Sequence, residues 1–341
     1  MKIRKRQLQL FILLFAASSL LFQLPSGSFA ATPSDISATD SMDDTGSLEL
    51  NGASDVDTFT IGSSTYAIVA GNVDDGVQII DISDPTDITA TDRMENVVGA
   101  SPNLDGARGV DVFTIGSSTY AIVTSFNYDG VQIIDISDPT NIVAKDTVRD
   151  TATGRVTEFD ELNGATDVET FTIGSSTYAI VASQDDDGVQ IIDISDPTNI
   201  VAKDSMDDTG SLEFDGARGI DVFTIDSSTS TTTYAIVTSY ADDGVQIIDI
   251  SDVDNIVAKD SMDDTGSLEL NAARGVETFI INSVVYAIVT GHDDDGVQMF
   301  DLGNCASSDC VYTEAEAAAA SVSGSTSSTC ARLVILGNCG T

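Results

Sequence analysis

Acidic residues are the most abundant candidates for chemistry, and many of them stand in short runs that end in glycine. These runs contain Asp74, Asp75, Asp129, Asp185, Asp186, Asp187, Asp242, Asp243, Asp293, Asp294 and Asp295. Oxygen-rich loops suit calcium, which takes about six to eight oxygen ligands in irregular geometry. The runs lack the alternating acidic spacing of a calcium hand, and Asp and Gly also favour turns for local reasons. We therefore favour acidic turns over bound calcium, which is the one candidate cofactor.

Three arginines form a second candidate site because each stands in the tripeptide ARG. They are Arg108, Arg218 and Arg274, whereas two other copies of the same segment carry Asp55 and Asp167 one residue later. A guanidinium group binds planar anions through two parallel hydrogen bonds, so these residues are candidate ligand-binding groups. In so acidic a chain, arginines also find carboxylate partners readily. The sequence favours salt bridges over an anion site at these positions.

Residues typical of catalytic centres are scarce. The chain has one histidine, His292, next to an acidic run, and it contains neither a G-x-S-x-G nor an H-E-x-x-H motif. A hydrolase that uses a pair of carboxylates remains open, because the aspartates are too many to single out a pair. The sequence therefore favours a protein that is not an enzyme and leaves an extracellular hydrolase or lyase as the alternative.

The net charge of −41 restricts the partners of this protein. Nucleic acids are excluded because binding to their backbone depends on Lys and Arg neutralising phosphates. Anionic membrane surfaces are excluded because they attract basic segments and repel acidic ones. Proteins and carbohydrates remain as the expected partners.

The N-terminal thirty residues have the three parts of a secretory signal peptide. Positive residues between Lys2 and Arg6 precede an apolar run from Leu8 to Phe22, and small residues lead to Ala30. The apolar run is shorter than the ~20 residues that a membrane span needs. We predict that residues 1–30 are removed and that the protein is secreted or displayed at the cell surface.

The four cysteines all lie near the C-terminus, at Cys305, Cys310, Cys330 and Cys339. In an exported chain an even number of cysteines predicts two disulfides, here with three alternative pairings. The Ala/Ser-rich stretch between the two pairs is typical of a linker. We predict that residues 303–341 form a partly disordered tail.

Five copies of one sequence unit must position the candidate residues. The core of the unit, GVQIID or GVQMFD, begins at Gly76, Gly130, Gly188, Gly244 and Gly296. The tyrosines of the preceding YAIV segments are 54, 58, 56 and 52 residues apart, nearest to the roughly 40 to 50 residues of a four-stranded propeller blade. Each copy divides into four β-branched and aromatic segments separated by Gly, Ser, Asp and Pro turns.

This pattern predicts an all-β, five-bladed β-propeller over residues 31–302, built from four-stranded antiparallel blades. The repeats lie near residues 52–94, 106–148, 164–206, 216–262 and 272–302. The fifth copy ends without a fourth strand, and Ser37–Met42 matches the fourth strand of the other copies. We predict that residues 37–42 complete the last blade and close the propeller.

The segment GVQIIDISDPTNIVAKD, preceded by YAIV and an acidic break, resembles the LVIVD repeat of bacterial and archaeal exported or surface proteins. The resemblance covers all five copies, from Ser37 to Leu302. It implies a propeller and a place outside the cytoplasm, but it specifies no ligand. Together these observations predict a secreted or cell-surface, non-enzymatic binding or structural module for proteins or carbohydrates, with calcium as its candidate stabilising ion.

Overall fold

The computed structural model describes residues 38–97, 101–150, 159–210, 212–227, 230–282 and 284–304, which form strands, turns and loops. The predicted signal peptide and all four cysteines lie outside these ranges, so the predicted cleavage and disulfides stay predictions. No helix among the described residues has the length and apolar character needed to cross a membrane.

The strands form five successive antiparallel sheets, which we call blades 1 to 5. Blade 1 contains β1 (Ala53–Ile61), β2 (Ser64–Gly71), β3 (Gly76–Asp81) and β4 (Thr89–Glu95). Blade 2 contains β5 (Ala107–Ile115), β6 (Ser118–Ser125), β7 (Gly130–Asp135) and β8 (Val143–Arg149). Blade 3 contains β9 (Ala165–Ile173), β10 (Ser176–Ser183), β11 (Gly188–Asp193) and β12 (Val201–Asp207). Blade 4 contains β13 (Ala217–Ser227), β14 (Ser230–Ser239), β15 (Gly244–Asp249) and β16 (Val257–Asp263). Blade 5 contains β17 (Ala273–Ile281), β18 (Val284–Gly291) and β19 (Gly296–Asn304). The predicted all-β propeller fold is confirmed.

Local sequence explains the hairpins within each blade. In blade 3, Phe171 and Tyr178 stand opposite each other on β9 and β10, and their rings stack with centroids 5.6 Å apart. The turn into the third strand requires a left-handed residue, which Asp187 supplies with φ 56°, a conformation that Asp adopts more readily than most residues. The third strand is buried on both faces because it lies between neighbouring blades.

A glutamine side chain bonds to backbone carbonyls where the pairing of the third and fourth strands shifts in blades 1 to 4. In blade 2 the pairing of β7 with β8 shifts between Gln132 and Ile134. The side-chain amide of Gln132 donates to the carbonyl oxygens of Ile133 and Asp146 at 2.8 and 2.9 Å. Its carbonyl accepts the Asn103 N–H at 3.1 Å. This polar residue, found where the LVIVD repeat has an apolar one, is therefore fully buried and fully bonded.

Apolar clusters join consecutive blades. Between blades 1 and 2, Val77 and Ile79 share a buried cluster with Ile134 and Ile136. Similar clusters join blade 2 to 3, blade 3 to 4 and blade 4 to 5. The first strands of consecutive blades are in contact, β1 with β5, β5 with β9, β9 with β13 and β13 with β17. We call them the inner strands.

The aspartate that ends the third strand accepts a backbone hydrogen bond in blades 1 to 4. In blade 2, Asp135 accepts the Ser137 N–H at 3.1 Å and pairs with the Lys145 ammonium at 2.9 Å. Burial opposes ionisation of Asp135, but these hydrogen bonds outweigh it and lower its pKa. Asp81, Asp193 and Asp249 accept the same backbone bond in their blades. The repeated aspartate thus fixes the turn into the fourth strand.

Blade 5 has three strands, and residues 38–42 adopt no strand in the described structure. The sequence places the missing fourth strand of blade 5 in this segment. Closure of the propeller is not shown and stays a prediction. The third strand of blade 5 consequently exposes side chains that the other blades bury.

Candidate functional site

The ARG tripeptides lie at bulges near the start of three inner strands. In blade 2, Ala107 pairs with Ser125 and Val110 with Val123, so Arg108 and Gly109 together stand opposite Thr124. The Thr124 hydroxyl oxygen accepts the Gly109 N–H at 2.7 Å and thereby satisfies the bulge. A bulge redirects side chains away from the regular alternation of a strand. The same irregularity occurs in blades 4 and 5, before Ile220 and Val276.

The three arginines, which we call the arginine cluster, lie within electrostatic range of one another. Burial lowers the pKa of Arg108, and repulsion from Arg218 lowers it further. Burial likewise lowers the pKa of Arg218, and Arg274 adds to that effect. A guanidinium ordinarily stays protonated in proteins, so the cluster is a concentration of positive charge on the inner strands.

No member of the arginine cluster forms an ion pair with a described residue. Arg108 instead lies over the Phe126 ring, 3.6 Å from its centroid. Arg218 and Arg274 both approach the Tyr240 ring, at 5.2 and 5.3 Å. The Arg274 Nε atom is buried without a hydrogen-bond partner. Within the described ranges, the contacts of these side chains are with aromatic rings and not the salt bridges that the sequence favours.

Asp55 and Asp167 do not neutralise the arginine cluster. The Asp55 carboxylate accepts the Val110 N–H of the next blade at 2.8 Å, and Asp167 accepts the Ile220 N–H at 3.0 Å. Burial raises the pKa of Asp167 to about 7, and repulsion from Asp55 adds to this. These two aspartates fasten one inner strand to the next rather than pair with arginine.

A second row of carboxylates, not identified from the sequence, crosses the inner strands two residues further along. It consists of Asp57, Asp111, Glu169, Asp221 and Glu277, which we call the carboxylate row. Asp57 accepts the Val112 N–H at 2.8 Å, and Asp111 accepts the Thr170 N–H at 2.7 Å. Burial raises the pKa of Asp111 to about 7 and that of Asp221 to about 6. The signal available in the sequence is an acidic residue at the same position of the first strand in all five copies.

The acidic runs predicted as turns or calcium sites are bonded to backbone groups. Asp74 accepts the Asn51 N–H at 2.8 Å, and Asp186 accepts the Asn163 N–H at 2.7 Å. The same contact is made by Asp242 and Asp294, and a related contact between blades by Asp75, Asp129, Asp187 and Asp243. Asp185 lies within electrostatic range of Arg108. The His292 ring contacts the Asp293 carboxylate at 2.6 Å. Asp295 has a left-handed backbone conformation, with φ 55°. Among the described residues, no group of three His, Cys, Asp or Glu side chains is arranged to hold a metal ion.

A cavity of about 600 Å³ lies at blade 1, away from the arginine cluster, and is lined in part by Gln78, Arg93, Val97 and Pro102. Its arginine is already occupied, because Arg93 pairs with Glu49 at 3.3 Å and with Glu95 at 2.7 Å. The arginine of this cavity is therefore neutralised by carboxylates, whereas the arginine cluster forms no ion pair with a described residue.

The LVIVD repeat family matches the chain three times, over residues 63–94, 117–150 and 175–208. These matches cover the second to fourth strands of blades 1, 2 and 3, so the resemblance identified in the sequence is confirmed for these three copies. A search among curated proteins found no match to this sequence.

Several solved structures have a similar fold at low identity. The periplasmic gluconolactonase of Pseudomonas aeruginosa is 12% identical with a TM-score of 0.49, over 73% of this chain and 66% of that one. A Lactobacillus plantarum protein is 13% identical with a TM-score of 0.48, over 69% and 63%. An exo-β-1,3-galactanase of Phanerochaete chrysosporium is 12% identical with a TM-score of 0.44, over 78% of this chain. The match spans 64% of the galactanase, less than two thirds of its length. At these identities the likeness concerns the fold alone.

Proposed function

We propose that this chain, a β-propeller built from LVIVD repeats, is a non-enzymatic binding module that holds an anionic ligand at the arginine cluster. One observation carries the proposal: three neighbouring arginines form no ion pair with any residue that the structure describes, in a chain whose net charge is −41. Keeping like charges together and partly buried destabilises the fold. Such an arrangement is typical of functional sites, where local stability is lost in favour of binding.

The ligand that fits this cluster presents carboxylate or sulfate groups. Planar guanidinium groups bind such groups bidentately, and Phe126 and Tyr240 hold Arg108, Arg218 and Arg274 in place by cation–π contact. An acidic polysaccharide and an acidic protein segment both offer this chemistry. We propose that the site works outside the cytoplasm, which the N-terminal signal sequence supports.

The test is titration of the full chain with anionic and neutral ligands at physiological salt, where long-range repulsion by the acidic surface is screened. A uronic-acid polymer, a sulfated polysaccharide, poly-glutamate and neutral dextran separate the sources of the anion. We expect an anionic polymer to bind and dextran not to bind. Arg108→Gln, Arg218→Gln and Arg274→Gln should each weaken binding about 10- to 100-fold.

The matched control is Arg93→Gln. Arg93 is already paired with carboxylates, so this variant should leave binding unchanged. Arg218→Gln should also keep or raise the melting temperature, since it removes repulsion from Arg274. A cluster with a purely structural role would give the opposite result, a lower melting temperature without loss of binding. Binding of no anionic polymer would overturn the proposal.

An extracellular hydrolase or lyase is the alternative, and the carboxylate row is the observation that favours it. Asp111 holds its proton up to about pH 7 because burial raises its pKa, as a general acid requires. Its carboxylate, however, accepts backbone N–H groups of its own strand and the next. A broad screen of glycosides, esters and uronides decides the matter: turnover that Asp111→Asn abolishes would replace the binding proposal with an enzymatic one.

Calcium at the acidic runs stays a prediction, supported by their oxygen-rich composition. Melting curves with calcium and with chelator are the direct measurement. A bound ion raises the melting temperature in a concentration-dependent way, and equal melting temperatures would remove calcium from the account of this protein.

A further inference from the structure

The junctions between blades do not depend on the arginine side chains. At the equivalent position blade 3 carries Thr166, whose hydroxyl donates to the Arg218 carbonyl oxygen of blade 4 at 3.0 Å. Blade 4 carries Arg218 there, and the Thr238 hydroxyl of its second strand donates to the Arg274 carbonyl oxygen of blade 5 at 2.6 Å. A hydroxyl makes the junction bond in both cases, so the arginine side chains are available for a ligand.

The three arginine side chains converge on one small area. Arg218 of blade 4 and Arg274 of blade 5 approach the same Tyr240 ring, at 5.2 and 5.3 Å from its centroid. Arg108 of blade 2 lies within electrostatic range of Arg218, although blade 3 stands between their blades. Blade 3 places the short, uncharged Thr166 at this level. An area of this kind fits a ligand whose anionic groups lie close together.

Carboxylates of the preceding blades flank this area and are bound to backbone N–H groups at the start of the inner strands. They are Asp75, Asp187 and Asp243, which accept the N–H groups of Gly106, Gly216 and Ala272, each at 2.8 Å. Each of these N–H groups stands two residues before an arginine of the cluster, and two residues span at most about 7 Å. That distance is comparable with the screening length of about 8 Å at physiological salt. A ligand with negative charges along its whole length would therefore be repelled by carboxylates that hydrogen bonds hold in place.

A further carboxylate beside the cluster can accept a hydrogen bond from a neutral group of the ligand. Asp185 of blade 3 is exposed and lies within electrostatic range of Arg108. Its side chain packs on Gly164, where a Cβ atom would lie 2.8 Å from the carboxylate carbon. Guanidinium donors and a carboxylate acceptor side by side match an acidic sugar, because its anionic group accepts hydrogen bonds and its hydroxyls donate them. An acidic protein segment offers the anionic groups without the row of hydroxyls.

We propose that the arginine cluster binds the terminal residue of an acidic polysaccharide, with the anionic group on the arginines and a ring hydroxyl donating to Asp185. This inference rests on the function proposed above and narrows it to one class of ligand and one mode of binding. A terminal residue brings its charge to the cluster while the rest of the polymer extends away from the flanking carboxylates. Carboxylate and sulfate groups share this chemistry, and the experiment includes both.

The number of proteins bound to each polysaccharide chain is the first test. Uronic-acid oligomers of increasing length and the polymer are titrated with the full protein, and a sulfated series of the same lengths is run beside them. Sedimentation with protein in excess counts the proteins on each chain. Because the two ends of a polysaccharide differ, we expect one protein per chain at every length. The affinity per chain should change less than about threefold beyond the disaccharide. Several proteins on each long chain, or affinity that rises with every added residue, would contradict terminal recognition and leave the anion site in place.

Asp185→Asn gives a second readout, because charge and hydrogen bonding predict effects of opposite sign. The variant removes a negative charge beside Arg108, so charge alone would make every anion bind more tightly. Loss of the charged acceptor should instead weaken binding of the acidic disaccharide about tenfold. Asp87→Asn is the matched control, since it changes the net charge equally in the exposed turn before β4, at the other end of its blade. It should leave binding unchanged.

The remaining outcomes separate this inference from the function on which it rests. Unchanged or tighter binding of the disaccharide by Asp185→Asn would remove the sugar hydroxyl from the site. Binding of poly-glutamate without binding of any acidic saccharide would assign the arginine cluster to a protein segment, and only the present inference would fail. If no anion of either kind binds, both the inference and the proposed function are wrong.

Discussion

The free energy of unfolding is expected to be larger at about pH 5 than at about pH 8, which is the reverse of the usual effect of ion-paired carboxylates. The carboxyl groups of Asp111, Asp167 and Asp221 contribute to this effect. Burial raises the pKa of Asp111 and of Asp167 to about 7, and that of Asp221 to about 6. Asp111 is faced by Asp57 on one side and by Thr170 and Glu169 on the other.

The direction follows from proton binding. A carboxyl group with a raised pKa holds its proton more tightly in the folded chain than in the unfolded chain, where its pKa is about 4. Its contribution to stability is complete below that value and disappears as the pH rises through the folded pKa, about 7 for Asp111. For one partly buried group this amounts to on the order of 2 to 4 kcal/mol.

Other carboxylates set the lower limit of the stable range. Hydrogen bonds lower the pKa of Asp135 and Asp249 against the opposing effect of burial. Their contribution is present above about pH 4 and is lost as the pH falls through their folded pKa. Maximum stability is therefore expected between about pH 4 and pH 6.

Urea titrations across this range measure the effect, and Asp111→Asn provides the control. The amide keeps one acceptor oxygen, which serves the Thr170 N–H but not also the Val112 N–H that Asp111 binds at 2.8 Å. Because the amide has no charge, the stability difference between about pH 5 and about pH 8 should be smaller than in the parent chain. Repeating the titration in 0.5 M salt, roughly, separates surface repulsion, which salt screens, from burial, which it leaves in place. Stability that is equal or greater at about pH 8 would contradict the assignment.

Gln132→Leu is expected to lower the unfolding free energy by about 3 kcal/mol and the melting temperature by roughly 5 to 10 °C. The LVIVD repeat has an apolar residue at this position. Hydrophobic burial alone would therefore predict that leucine raises the unfolding free energy. Gln132 is fully buried, and its amide serves the carbonyls of Ile133 and Asp146 while its oxygen accepts the Asn103 N–H. Leucine would remove this partner from all three backbone groups, of which the Ile133 carbonyl is buried and the other two are partly buried.

Thr147→Val is the matched control because it removes a single bond in the same strand pair, from the Thr147 hydroxyl to the Val131 carbonyl at 2.9 Å. Its cost should be about 1 kcal/mol. A Gln132→Leu variant as stable as the parent chain would show that the bulge in β7 accommodates an apolar side chain, and the account of the glutamine would then be wrong.

Much of the fold could be predicted because each element is determined locally. Three features recur in each copy with little change: the tyrosine and phenylalanine of the hairpin, the Ser and Gly turn, and the apolar third strand. Each of these features forms from residues that are close in sequence. The repeat length then leaves few ways to stack the sheets. The part that did not appear as predicted, the fourth strand of blade 5, depends on contact between segments at opposite ends of the chain.

The candidate site was predictable only in part. The ARG tripeptides identified Arg108, Arg218 and Arg274, but the choice between salt bridges and a free cluster depends on whether a carboxylate comes within ion-pair distance. Asp167 lies one residue from that position, yet the structure directs it to the Ile220 N–H. Phe126 and Tyr240 sit in turns whose sequence gives no sign that an arginine lies over them.

The sequence by itself determined the all-β repeat architecture, the acidic surface and the positions of the ARG tripeptides, since these follow from periodicity and composition. Tertiary structure decided which charges are paired. Asp55 and Asp167 accept N–H groups from the next inner strand, as do Asp57 and Asp111 of the carboxylate row. In the packed blades these aspartate carboxylates are bound to backbone N–H groups, so they do not pair with the arginines. The arginine side chains lie over aromatic rings instead.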